Sequence, residues 1–189
     1  MISNFTLGFF AIYLFSQNRL LSKYWSLFFL FMGLSAFVGG FYHGIEGIGE
    51  EVRFLSWSLV ATAVVFAQFD VYKNVESKKL KWFFVVKAAV FLYLAIYYSN
   101  FSFMIIEFVI SLIGFVIIGN WLGYNSISNL ITYGVFISIS SIVFKVLDTN
   151  IHPEYLTAND IGHYITVISL IVMSKGVKED AVKLTLKTK

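Results

Sequence analysis

Cysteine is absent from the chain, and proline occurs once, at Pro153. Without thiols there is neither a disulfide framework nor a thiolate metal site, so any metal would rest on histidine, carboxylate or water. Charge is scarce as well. Asp, Glu, Lys and Arg make up 13% of the residues, against about 25% in an ordinary soluble domain, which excludes a solvated globular surface of the usual kind. No serine-nucleophile elbow, phosphate-binding P-loop or dinucleotide fingerprint is found, so the chemistries those motifs carry have no foothold here. No internal duplication of the kind that marks many carriers is evident, and no linker or low-complexity run divides the chain.

What is present is apolar and aromatic. Hydrophobic residues make up 58%, with 21 Phe and 11 Tyr, and the mean hydropathy is +0.78. A bilayer core is crossed by about 20 apolar residues in a helix, and seven stretches qualify, at approximately 3–18, 24–44, 53–72, 80–99, 101–122, 127–147 and 158–175. They are continuous rather than alternating, which predicts helices and not barrel strands. Tyr97-Tyr98-Ser99-Asn100 predicts a tight interfacial turn between the fourth and fifth. The start of the chain lacks the basic n-region of a signal peptide, so the first span is expected to be retained. The expected fold is all-α, a seven-transmembrane helix bundle over residues 1–177 followed by a basic tail at 178–189.

Lysine and arginine set the orientation. Arg19, Lys23, Lys73, Lys78, Lys79, Lys81, Lys175, Lys178, Lys183, Lys187 and Lys189 fall on the side of the C-terminus. These are eleven of the 14 basic residues. The other side carries Arg53 with Glu46, Glu50, Glu51, Asp148, Glu154 and Asp160. This asymmetry predicts the N-terminus outside and the tail in the cytoplasm. It also accounts for the formal charge of +3 without invoking nucleic acid.

Polar residues inside the spans need a reason. Lys87 has a stem long enough to snorkel to the cytoplasmic interface. Asp70 is expected to reach headgroups or Lys73. Glu107, about 9 Å into the fifth span at 1.5 Å per residue, is too short to snorkel, and Lys145 at similar depth is its expected partner, either structurally or in a cavity. His43 ends the second span and His163 opens the seventh on the same side, where Asn159 and His163 share a helix face at i, i+4. Each histidine is read either as an interfacial polar residue or as a ligand. Thr157 and Asp160 have the spacing of an N-terminal capping box, so Asp160 is either a cap or a site carboxylate. His152, beside Pro153, predicts an exposed turn. Small residues in the second span (Gly33, Ser35, Gly39, Gly40) and the sixth (Ser138, Ser140, Ser141) predict close helix packing. The seventh span has no lysine before Lys175, which argues against a light-sensing bundle.

The run Ser35-Ala36-Phe37-Val38-Gly39-Gly40-Phe41-Tyr42-His43 and the opening Asn159-x-x-x-His163 resemble the seven-helix CREST superfamily, which includes alkaline ceramidases and the progestin and adipoQ receptors. Over its whole length the chain is also similar to a family of uncharacterised bacterial seven-helix membrane proteins, through Tyr42-His43-Gly44 and Asn159-Asp160-x-x-His163. The resemblance implies a bacterial inner (cell) membrane protein with zinc held by His43 and His163. The bound water would be activated for attack on a lipid amide or ester, with Ser35 or Asn159 steadying the oxyanion and Asp160, Glu107 or a loop carboxylate completing the ligand set. The chain departs from the pattern in having Asn159 where the superfamily has histidine and in lacking a third-helix aspartate. Two histidines remain where a catalytic zinc takes three protein ligands. The other reading is a non-catalytic receptor, carrier or partner-binding bundle for a small-molecule ligand, with the lipid bilayer as its surroundings in either case.

Overall fold

Long apolar stretches almost free of proline fold as helices because an α-helix pairs its own backbone polar groups, the requirement that hydrocarbon surroundings impose. The computed structural model of the chain describes residues 1–123, 127–147, 150–152 and 156–187, less the side chains of residues 145, 146, 184, 185 and 187. Among the described residues it is all-helical: α1 (Ile2–Asn18), α2 (Lys23–Gly44), α3 (Glu50–Val71), α4 (Lys78–Tyr97), α5 (Ser102–Trp121), α6 (Asn129–Val146) and α7 (Ala158–Lys187). The chain has the character of an integral membrane protein, because α2, α3, α4 and α5 are each long and apolar enough to cross a bilayer. The apolar part of α6, Asn129–Phe144, is shorter. α7 is diluted at its start by Asn159, Asp160 and His163 and at its end by charge.

Local chemistry sets the helix ends. Ser22 Oγ accepts from the Trp25 amide at 3.3 Å, and Ser77 Oγ from the Leu80 amide at 3.2 Å, which are side-chain N-caps for α2 and α4. The predicted turn after α4 is present. Ser99 takes a left-handed φ of 49°, and Asn100 Oδ1 accepts from the Ser102 amide at 2.9 Å. His152 is exposed and bridges to Leu156. Asp148, Pro153 and Glu154 lie outside the described residues.

The helices pack in chain order, and α7 returns to close against α1, while α3 touches α2, α4 and α5. Close approach is made by small residues. A Cβ on Gly134 of α6 would meet the Ser169 carbonyl of α7 at 3.0 Å, and Ser169 Oγ donates to the Gly134 carbonyl at 2.8 Å. In α2, Gly33 takes Ile12 and Ala11 of α1 against its open side. Ser138 is buried as expected, but Ser140 is exposed and bonds the Ile137 carbonyl of its own helix. One core cluster gathers Trp25, Phe28, Phe29, Phe84, Leu112 and Met173. α4 keeps its Trp82, Val86, Val90 and Tyr93 on the outside.

Buried charge departs from the expected pattern. Lys87 does not snorkel: its Nζ donates to Glu107 Oε1 at 2.8 Å and to Ser111 Oγ at 2.6 Å, and its side chain is 9% exposed. Ser111 in turn donates to Glu107 Oε2, and Gln68 Nε2 of α3 donates to Ser111 Oγ at 3.1 Å. The ion pair of Glu107 is therefore with α4, one helix back, and the side chain of Lys145 lies outside the described residues. Ser111 is the second residue of a π-helical segment, Ile110–Ile117, inside α5. A π segment widens the helix where a side-chain network is held.

At the opposite end, Asp70 is buried and accepts from Ser22 Oγ at 2.8 Å, with Lys73 Nζ at 3.4 Å, as expected. α7 does not break at residue 177 but runs on to Lys187. There Glu179 Oε2 accepts from Ser128 Oγ at 2.7 Å and Asp180 Oδ2 from the Ser128 amide at 2.9 Å, which anchors the start of α6. Burial pushes the Asp180 carboxyl above its usual range, and the Ser128 amide opposes that rise.

Removing one member of a buried ion pair strands the other, at a cost of about 3–5 kcal/mol. Lys87→Met is expected to lose about that much stability, while Lys87→Met combined with Glu107→Met recovers most of it. Denaturation midpoints in one detergent check this; a double variant no more stable than the single would remove the pair from its role in joining α4 to α5.

Candidate functional site

A cavity of about 650 Å³ opens at the end of the bundle where α1, α3, α5 and α7 begin and α2 and α6 end. Six helices line it, and α4 contributes nothing. Its inner wall is made by Met32, Val60 and Phe108 with the hydroxyls of Ser138 and Thr166. Nearer the helix ends stand Asn4, Tyr42, His43, Arg53, Asn159 and His163. The volume falls in the range of about 300–1,000 Å³ that small-molecule sites occupy.

Four of the five sequence-predicted site residues, Ser35, His43, Asn159 and His163, line this cavity. The i, i+4 pair Asn159 and His163 faces it from α7, and His43 faces it from the last turn of α2. Ser35 is used in packing: its Oγ donates to the Ser56 carbonyl at 2.9 Å, and Ser56 Oγ donates to the Ser35 carbonyl at 3.0 Å, a reciprocal clasp between α2 and α3. Asp160 does not line the cavity. It closes the capping box of α7, where Oδ2 accepts from Thr157 Oγ1 at 2.7 Å and from the Thr157 amide at 3.2 Å, while the Asp160 amide donates back to Thr157 Oγ1 at 3.3 Å.

Sequence reasoning missed the first turn of α1. Ser3 is buried; its Oγ donates to Asp160 Oδ1 at 2.5 Å and lies 2.9 Å from His163 Nδ1. A hydroxyl has one proton. With that proton given to Asp160, His163 is the donor from Nδ1 in its contact with Ser3. Asn4, one residue on, enters the cavity beside Gly39, where a Cβ would meet Ser56 Oγ at 3.3 Å and Asn4 Oδ1 at 3.5 Å. The available signal was a polar pair, Ser3-Asn4, opening an otherwise apolar span.

Arg53 was also missed, having been counted only for topology. Its guanidinium lies 4.9 Å from the Trp57 ring centroid and 5.3 Å from that of Phe54, cation–π distances. Its Nη2 is paired with exposed Glu50, which also accepts from Tyr42 Oη at 2.9 Å. Among the described residues no group of three His, Asp or Glu side chains is placed to hold one metal ion. Both Asp160 oxygens are engaged by Ser3 and Thr157.

Loss of a helix cap costs about 0.5–2 kcal/mol. Asp160→Ala is expected to cost about that much stability and to speed amide exchange in the first turn of α7, with Ser3→Ala costing less because the capping box survives. Thermal melts with hydrogen exchange in detergent check this; unchanged exchange in Asp160→Ala would exclude the capping role.

No curated protein and no solved structure is matched by the chain, and nothing found links it to the CREST superfamily. Residues 1–182 match a family of unknown function, DUF6962. The match reaches past the expected boundary at 177 into the part of α7 that anchors α6. By that match, covering nearly its whole length, the chain belongs to the DUF6962 family.

Proposed function

We propose that this chain is a seven-span protein of a bacterial cell membrane, N-terminus outside and C-terminus in the cytoplasm, whose outward-facing cavity binds an amphiphile drawn from the bilayer. The observation that carries this reading is the cavity itself: six helices frame one chamber whose inner wall sets Met32, Val60 and Phe108 beside two hydroxyls and whose mouth is more polar. Such a division suits a molecule with a chain and a head. The crossing of α1, α6 and α7 is supported by their packing against the four apolar spans. The polar residues that lower the hydropathy of α7, Asn159 and His163, turn into the cavity rather than to lipid. The orientation rests on the lysine-rich end. On this reading the protein is a receptor, carrier or partner-binding bundle.

A second reading is metal-dependent hydrolysis of a lipid amide or ester. One specific arrangement favours it: His43 and His163 line the same cavity, and Ser3 holds His163 by Nδ1, as outer-shell partners orient metal-ligating imidazoles. Zinc there would supply a Lewis acid and an activated water. Ser35 and Asn159 would orient the carbonyl, and a third ligand would have to come from outside the groups described.

One purification separates the two. Protein isolated in mild detergent, without chelator and with zinc supplied, is analysed for bound lipid and for metal, beside Gly39→Leu, which fills the chamber, and His43→Ala and His163→Ala. A co-purifying amphiphile near one per chain, depleted in Gly39→Leu, is the expected outcome. Near-stoichiometric zinc lost in both histidine variants, with turnover of lipid amides or esters, would move the assignment to hydrolysis. A parent protein carrying neither would refute the cavity's binding role.

A further inference from the structure

Six helices in a ring make six seams, and at the level of the cavity five of them are closed by specific contacts. Phe5 of α1 and Phe41 of α2 meet with ring centroids 5.3 Å apart. The Ser35–Ser56 clasp joins α2 to α3. Trp57 of α3 lies 5.5 Å, centroid to centroid, from Phe101 at the start of α5. α6 and α7 approach through Gly162, where a Cβ would meet the Ser141 carbonyl at 3.7 Å. Ser3 ties α1 to α7 through Asp160 and His163.

The seam between α5 and α6 is closed over only half its length. Their packing is carried by the π-helical segment Ile110–Ile117, where Leu112 and Val116 join Ile131 and Val135 in the buried core. This seals the half away from the mouth. Nearer the mouth, Ile105 and Phe108 of α5 and Ser141 and Ile142 of α6 line the cavity from its two sides and are partly exposed, and among the described residues no extended contact between the two helices replaces the core there. Ile106 and Val143, the next residue on each helix, are exposed. One residue turns about 100° around a helix, which sets this pair as the outer lips of the gap. Both lips are apolar, so hydrocarbon chains suit them and water does not. The water-facing end of the bundle instead carries Glu46, Glu50 and Glu51, all exposed, and entry there would take an apolar chain through water.

We infer that the gap between α5 and α6 is a side entrance through which a single-chain amphiphile passes between the cavity and the half of the bilayer on the mouth side. This rests on the amphiphile-binding reading and adds the source of the ligand and its route. Because the chain has no cysteine, the thiols of a full-length Ile106→Cys, Val143→Cys double variant are the only ones present, and bis-thiosulfonate reagents of graded length can bridge the lips without entering the cavity. The protein in phosphatidylcholine nanodiscs is loaded with radiolabelled oleyl alcohol, bridged, and chased with excess phosphatidylcholine vesicles. The bridge is expected to slow release on the order of tenfold, the change that about 1.4 kcal/mol of added barrier produces, and a thiol reductant is expected to restore the original rate. Either cysteine alone, treated with the same reagent, is expected to leave release unchanged. Loading of the unbridged double variant reports that it folds. Release unaffected by the bridge, or lips that no reagent length can join, overturns the side entrance and leaves the amphiphile reading intact. Failure of the unaltered protein to load overturns both.

Discussion

Polar groups in a protein surrounded by hydrocarbon must find partners within the protein, and the rest of this structure follows from that requirement. Backbone groups meet it by forming helices. Side chains meet it by turning inward and pairing between helices. Lys87, Glu107, Ser111 and Gln68 tie α4, α5 and α3 together. Asn18 donates to Ser174 and joins α1 to α7. Ser3 does the same at the other end through Asp160 and His163. Between these ties, small residues bring backbones close enough for dispersion and hydroxyl–carbonyl bonds to hold the bundle.

The same requirement gives the cavity its meaning. Helices that pack tightly through Gly134 and Gly33 separate at one end, where Asn4, Arg53, Asn159 and both histidines surround open volume. Among the described acids, Asp160 is committed to the cap of α7 and Glu107 to Lys87.

The two functional readings differ in what they ask of His43 and His163. Hydrolysis asks them to hold a metal, and the Ser3 contact to His163 suits that role. Binding asks only that they present polar edges to a head group. Each reading uses the same chamber and the same six helices, so membership of the DUF6962 family is compatible with both.

The sequence by itself determined the helices, because length, apolar continuity and the scarcity of proline act locally. Each expected span corresponds to a helix within a few residues, except at the far end of α7. Residue spacing also revealed the Thr157–Asp160 cap and the Asp70–Lys73 contact, both within one turn. The partner of Glu107 was not legible, since depth along a span says nothing about which neighbouring helix faces it; packing order placed Lys87 there. Nor were Ser3, Asn4 and Arg53 legible as parts of one site. They lie in the opening turns of two helices far apart in sequence, and only the return of α7 to α1, with α2 and α3 set beside them, brought Asn4 and Arg53 to a common volume and Ser3 against His163.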